Sequence, residues 1–205
     1  MANAGRKTDI IQAAYHMIAK RGLEGFRIRS LAEQAGINHA TLLHYFPSKD
    51  AVIAAVVDYL LQQLREEGMA HDAATPKEAL YHELDDFRQR LLSNREFFLV
   101  LSELQLRAYR DPSVAAPLTK MYAQWRQYLS HLIHQGIAAR QFRADVPVSA
   151  LVEVIIGQFR GMAFSALESN EETRVYDAIN TFWTLLIQAL LPNDGKTTEK
   201  SNSHE

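Results

Sequence analysis

Beginning at Thr8, apolar residues return at steps of three and four (Ile10, Ile11, Ala14, Met17, Ile18), which lays one apolar stripe along a helix. Arg21 gives this helix a basic last turn, and Gly22 after it marks a C-terminal stop. A second, short helix is predicted from about Ile28 to Ala35, closed by Gly36, and Asn38 is placed to cap a third that runs to Phe46. Pro47 ends the third, Ser48 caps the next, and a long fourth helix opens with Lys49 and reaches about Glu67. Residues 68–76 have the composition of a loop. The fifth helix starts at Pro76 with Leu80, Leu84, Phe87 and Leu91 as its inner stripe, and the sixth runs from Arg95 to Tyr109. Asp111-Pro112 breaks the chain before a longer helix carrying Leu118, Met121, Trp125, Leu129, Leu132 and Ile133 up to Ala139. After a loop from Arg140 to Pro147, two strongly apolar helices follow, Val148–Leu167 and Thr173–Leu191. No segment alternates as a half-buried strand would, so the fold class is all-α with about nine helices. The pattern divides the chain into an N-terminal three-helix unit (1–48), a C-terminal helical unit (49–191) and a polar tail (192–205) expected to be mobile.

Composition narrows the chemistry. With 205 residues, 47% of them hydrophobic, the chain is able to bury a core without help from disulfides or a structural metal. The absence of cysteine excludes thiolate metal sites, iron–sulfur clusters and a thiol nucleophile. The longest unbroken apolar run, Ala51 to Val57, is far short of the ~20 residues of a membrane span. No apolar stretch follows Arg6-Lys7 to make a secretion signal, so the expectation is a cytoplasmic protein with no membrane partner. Residues 1–50 hold seven Lys/Arg against four Asp/Glu, whereas the remainder hold 15 against 20. A basic head therefore precedes an acidic body, and phosphates are drawn to one end only.

Between Arg29 and Phe46 the sequence RSLAEQAGINHATLLHYF meets the demands of a helix-turn-helix. Ala32 is small where two helices approach, Gly36 tolerates the positive φ of a sharp turn, and Leu31, Ala35, Ile37, Leu42 and Tyr45 point inward. The free face of the third helix then presents Asn38, His39, Thr41 and His44, short polar groups suited to base edges or phosphates in a major groove. The Arg6-Lys7 pair reads either as a solvated tail or as an arm entering a minor groove.

Gly22-Leu23, Ile28, Leu31-Ala32, Ala35-Gly36-Ile37, Thr41-Leu42 and Tyr45-Phe46-Pro47-Ser48-Lys49, in this order and spacing, resemble the N-terminal signature of TetR-family (tetracycline-repressor-like) transcriptional regulators. The resemblance covers roughly Thr8 to Val57. It implies a double-stranded DNA operator as partner, a dimer made through the last two large helices, and a small-molecule effector held in the helical body. It puts Thr41 and Lys49 near the phosphate backbone and Arg29 near backbone or groove. Arg27 stands where the family usually has a capping threonine, and Leu43 where a phosphate-binding tyrosine is frequent, with His44 available for that contact. The DNA-binding set is therefore Arg27, Arg29, Asn38, His39, Thr41, His44, Tyr45 and Lys49, with Asn38 and His39 as sequence readers.

In the body, helices at about 148–167 and 173–191 offer apolar residues over more than one face, enough to pack inward and against a second copy. Gly157 and Gly161 form a GxxxG, read as permitting tight packing. Aromatic and polar residues mix at Glu103, Gln105, Trp125, Tyr128, Gln158 and Met162, the candidate effector site. If Glu103 faces a cavity, it favours a cationic or hydrogen-bond-donating ligand.

Enzyme templates are missing: no G-x-S-x-G, P-loop, dinucleotide glycine pattern or His-Glu-x-x-His occurs. None of the eight histidines has Glu three positions before it, as a di-iron bundle requires. His131 with His134, and His71 with Asp72, lack the partners of a metal site, so neither metal nor cofactor is expected. What the resemblance implies is a ligand-responsive regulator, expected to be a repressor released from a palindromic operator by a small molecule. The alternative is a ligand-binding or protein-interaction module that has lost operator binding, for which Leu43 and Arg27 are the motivating departures.

Overall fold

The computed structural model describes residues 2–67, 73–168 and 172–192. Among them are nine α-helices and no strand: α1 (Ala2–Gly25), α2 (Ile28–Gln34), α3 (His39–Tyr45), α4 (Lys49–Glu67), α5 (Pro76–Ser93), α6 (Arg95–Ala108), α7 (Pro112–Ala138), α8 (Val148–Glu168) and α9 (Glu172–Leu190). The tail beyond residue 192, and His71 with Asp72, lie outside the described residues.

Side chains that compete with the backbone for its first free N–H groups set the helix starts. Asn38 accepts from Thr41 N (2.7 Å), Ser48 from Ala51 N (3.1 Å), Thr75 from Glu78 N (3.2 Å), Asn94 from Phe97 N (3.1 Å) and Asp111 from Ser113 N (3.1 Å). Pro76 and Pro112 stand in first turns, where a missing N–H costs nothing.

Two boundaries differ from the periodic reading. α1 begins six residues earlier than its apolar stripe, because the Arg6 guanidinium donates to Ala35 O at 2.9 Å and the Lys7 ammonium lies 5.5 Å from the centre of the Phe46 ring. These long-range contacts anchor the start of the helix, so Arg6 and Lys7 form neither a loose tail nor a detached arm. At its other end α1 is interrupted at Gly22 (φ 65°, ψ 173°), a left-handed value that favours glycine, and a final turn to Gly25 follows the elbow.

One hydrophobic core runs through the molecule from Ile10 to Leu190. The three-helix unit contributes Ile10, Ala14, Ile18, Phe26, Leu31 and Leu42, and α4 joins it to the body with Val52, Ile53, Val56 and Leu60. α4 packs on α1 and on α7, while α6 packs on both α1 and α7. α8 is long and apolar enough, by length and composition, to cross a membrane, although charged and polar residues interrupt its apolar runs. Here one of its faces, with Val152, Ile155, Ile156, Phe159 and Met162, is buried in the body. The opposite face leaves Val154, Gly157, Gly161 and Phe164 exposed. A side chain added at Gly157 or Gly161 would meet nothing within 4 Å, so the GxxxG does not serve packing inside this chain.

Candidate nucleic-acid interface

Helices α2 and α3 are joined by a turn held by backbone hydrogen bonds: Ala35 N donates to Leu31 O (2.9 Å), Gly36 N to Glu33 O (3.1 Å) and Ile37 N to Ala32 O (3.0 Å). Gly36 has φ 65°, the conformation expected for this position. Leu31, Ala32 and Leu42 are buried at the crossing, with Ala35, Ile37 and Tyr45 packed partly buried against them. The inward set read from the sequence is thus assembled as expected, and Phe46 is added to it.

With those residues inside, the opposite face of α3 is open. His39, Ala40, Leu43 and His44 are exposed, Asn38 is exposed at the cap, and Thr41 is partly buried. The Oδ1 of Asn38 is spent on the Thr41 N–H, which leaves its amide NH2 directed by a fixed cap. Tyr45 meets the His44 ring edge-on at 6.1 Å while its body packs on the core, so its role is chiefly to hold the helix. Arg29 is exposed near the start of α2.

Arg27 and Lys49 are placed differently from the simple expectation of side chains aimed at phosphate. The Lys49 ammonium donates to Leu23 O and Phe26 O, both at 3.0 Å, and lies 5.5 Å from the Phe26 ring centre. Arg27 Nη1 donates to Glu24 O and to Phe26 O, and Arg27 makes no side-chain cap on α2. Both cations therefore satisfy the carbonyls left free at the end of α1. Desolvation holds the Lys49 ammonium below its ordinary pKa, assisted by the Arg27 and Arg107 charges and opposed by Asp50. Arg27 remains exposed, and Lys49 partly so, so their positive charge still contributes to the potential of this end of the molecule.

The elbow at Gly22 is also bound to the body. Glu103 of α6 accepts from Leu23 N at 2.9 Å, and Glu96 of the same helix meets His16 Nδ1 at 2.5 Å. Glu103 is thus occupied between head and body and does not join the effector residues expected around it. Its interruption of an apolar run suggests a site residue, but the partner that explains it lies 80 positions away.

The other expected effector residues divide in two. Gln105 Nε2 donates to Tyr122 OH, and Trp125 Nε1 donates to Glu83 Oε1 at 2.5 Å. Tyr122, Trp125 and Phe159 then form one aromatic series, with ring centres 6.4 and 5.3 Å apart, and Met162 is buried one turn beyond Phe159 on α8. Tyr128 and Gln158 are instead exposed, which removes them from any interior site in the single chain. Glu83, Tyr122 and Phe182 were missed. The signal for Glu83 was present, since a carboxylate three residues after Leu80 falls on the apolar face of α5. Among the described residues no group of His, Asp or Glu is placed to hold a metal ion.

An all-helical body carrying a basic head with an open third helix defines a helix-turn-helix DNA-binding protein. Residues 10–56 match the model of the TetR family of bacterial regulatory proteins, a span that runs from α1 through the first part of α4. Over longer stretches the chain is 26% identical to the transcriptional regulator CymR of Pseudomonas putida, covering 80% of this chain and 81% of that protein. It is likewise 26% identical to the transcriptional repressor KstR2 of Mycolicibacterium smegmatis, over 74% and 75%. A transcriptional regulator of Saccharomonospora viridis, solved in complex with choline, shares the fold with TM-score 0.80 and 20% identity over 94% of this chain and all of that one. The family match over the head and the likeness of the whole chain to these regulators support a TetR-family DNA-binding transcriptional regulator. Loss of operator binding, the alternative motivated by Leu43 and Arg27, is not favoured by these matches.

Proposed function

We propose that the chain acts in the cytoplasm as a homodimeric repressor that leaves a palindromic operator when a small molecule binds its helical body. The observation that carries this reading is the open polar face of α3, fixed in direction by the Asn38 cap and the buried Leu42. Two such faces, ~34 Å apart on a dimer, would enter successive major grooves on one side of the duplex. Asn38 and His39 are the sequence readers, and Arg29, Thr41 and His44 contact the backbone, with Arg27 and Lys49 supporting the field from the end of α1.

A second copy would cover the outer face of α8 and α9, where Val154, Phe164 and Leu185 are each about 60% exposed. Apolar groups grouped in this way commonly mark an interaction surface. Repression is the reading supported by KstR2, and an organic effector is supported by the choline complex of the Saccharomonospora protein. The effector must favour one of two arrangements of the dimer, since equal affinity for both shifts nothing.

The test is a gel shift of the purified protein on the DNA flanking its own gene against random DNA over a range of salt. The expected result is selective binding that weakens steeply with salt. Equal retention of both DNAs at every salt concentration, or a protein that stays monomeric, overturns the proposal.

A further inference from the structure

The inner stripe of α5 consists of Leu80, Leu84, Phe87 and Leu91, all buried, and Glu83 shares that face. A carboxylate taken from water needs compensating donors or an opposite charge. Among the described residues the Trp125 indole supplies its only hydrogen bond, at 2.5 Å to one oxygen. Burial is accordingly the largest influence on the Glu83 carboxyl and pushes its pKa up; Asp86 pushes the same way, and the Trp125 bond and the Arg90 charge oppose.

The side chains around this carboxylate are not fully enclosed. Glu83, Gln105, Tyr122, Trp125 and Phe182 all retain accessible surface, although Phe159, which Trp125 and Phe182 approach to 5.3 and 6.3 Å, is buried. Partly exposed side chains from α5, α6, α7 and α9 thus group around one buried ring, with a carboxylate among the aromatics. The exposed Arg160 guanidinium lies 5.2 Å from the Tyr122 ring centre, which shows that the ring accepts a cation, and a bound cation would displace this exposed side chain.

Such a grouping discriminates by charge. An anion is repelled by Glu83. A neutral ligand leaves the carboxylate with one donor, and a hard metal ion lacks the additional oxygen ligands it requires. We propose that Glu83, with Tyr122, Trp125 and Phe159, forms the binding site of an organic monocation, an ammonium with methyl or other apolar substituents. Its charge rests against the free carboxylate oxygen and its substituents lie on the rings, where desolvated cation–π contact is strongest. This rests on the effector reading above and specifies its chemistry.

The experiment titrates the full-length protein with tetramethylammonium, benzyltrimethylammonium and choline, and with 3,3-dimethylbutan-1-ol as the neutral counterpart of choline. Binding is read by calorimetry and by the indole fluorescence of Trp125, with Trp125→Phe assigning the signal. At least one of the cations is expected to bind ten-fold or more tightly than the neutral alcohol. Glu83→Gln, which keeps an oxygen for the indole N–H, is expected to lose that ten-fold and to treat choline and the alcohol alike. Circular dichroism and the unchanged operator affinity of the variant verify its fold. No binding of any cation up to millimolar concentrations, or equal binding by wild type and Glu83→Gln, overturns the proposal. A gel shift with the bound cation separates the two readings: a cation that binds through Glu83 without altering operator affinity leaves this site intact and sinks effector control by it.

Discussion

The carboxylate of Glu103 accepts the backbone N–H of Leu23 at 2.9 Å, directly after the left-handed elbow at Gly22. The carbonyl of the same residue, Leu23, takes a hydrogen bond from Lys49 at the start of α4. One peptide segment is therefore held by the body through its amide and by α4 through its oxygen. The elbow is thus tied to α6 by a short, charge-assisted contact.

Replacing Glu103 with alanine leaves the Leu23 N–H without its acceptor in a partly buried place. Denaturant unfolding should show a loss of about 1–3 kcal/mol. Glu103→Gln retains an acceptor and should lose less. If the contact also carries the effector signal, the alanine variant should bind operator but release it poorly, a difference a gel shift with effector would reveal.

Lys49→Met retains most of the stem and removes the ammonium from two carbonyls. The expected cost is about 1–2 kcal/mol of stability, because charge-assisted bonds are worth more than neutral ones but this group is partly exposed. Operator affinity should fall as well, and equally for random DNA. A variant with unchanged melting temperature would show that the α1 end does not need this cation.

DNA contacts separate by their salt dependence. Arg29→Ala should weaken operator and random DNA together and reduce the slope of log affinity against log salt by about one. His39→Ala should cost about 1–3 kcal/mol on operator alone. Arg6→Ala should lower stability by about 1 kcal/mol through the lost bond to Ala35 O, with the salt slope unchanged. A reduced slope for Arg6→Ala would instead restore the groove-entering arm.

The Glu83 carboxyl has its pKa raised in the folded chain, so the ionised form is disfavoured by folding. Stability contributed by the protonated form is complete below the unfolded value and is lost as pH rises through the folded one. Glu83→Gln should consequently melt higher than wild type at pH 7, with the gap closing as the pH falls below the ordinary carboxylate range. Thermal melts at several pH values would test this, and a variant that melts lower than wild type at pH 7 would contradict it.

Gly157 stands in open space on the outer face of α8. Gly157→Leu should leave the chain folded yet weaken self-association, which sedimentation would read as a shift toward monomer. Unchanged dimer affinity would move the interface elsewhere on the body.

Helix order, the caps at Asn38 and Ser48 and the turn at Gly36 were readable from the chain because each depends on residues within four positions of one another. The roles of Glu103 and Lys49 were not, because their partners lie 80 and 26 positions away and are backbone groups, which have no sequence signature. Arg6 was hidden for the same reason: its acceptor is a carbonyl of α2, and the helix it belongs to has no apolar periodicity at its start. Gln105 and Trp125 are linked through Tyr122, which bonds the one and neighbours the other, whereas Tyr128 and Gln158 share their chemistry but face outward. Residue type identified what a side chain was able to do, and only the packing of α5 to α9 decided which way it was turned.

Because the apolar interior passes without a break from the head through α4 into α7, heat or denaturant has no seam along which to release an intact reading unit. The molecule should lose its parts together in a single cooperative transition. A fragment ending at residue 48 would expose the sides of α1 that α4 and α6 cover, and so would give up much of what keeps it folded. Grafting this reader onto another body would therefore require the joining helix and its buried valines to travel with it.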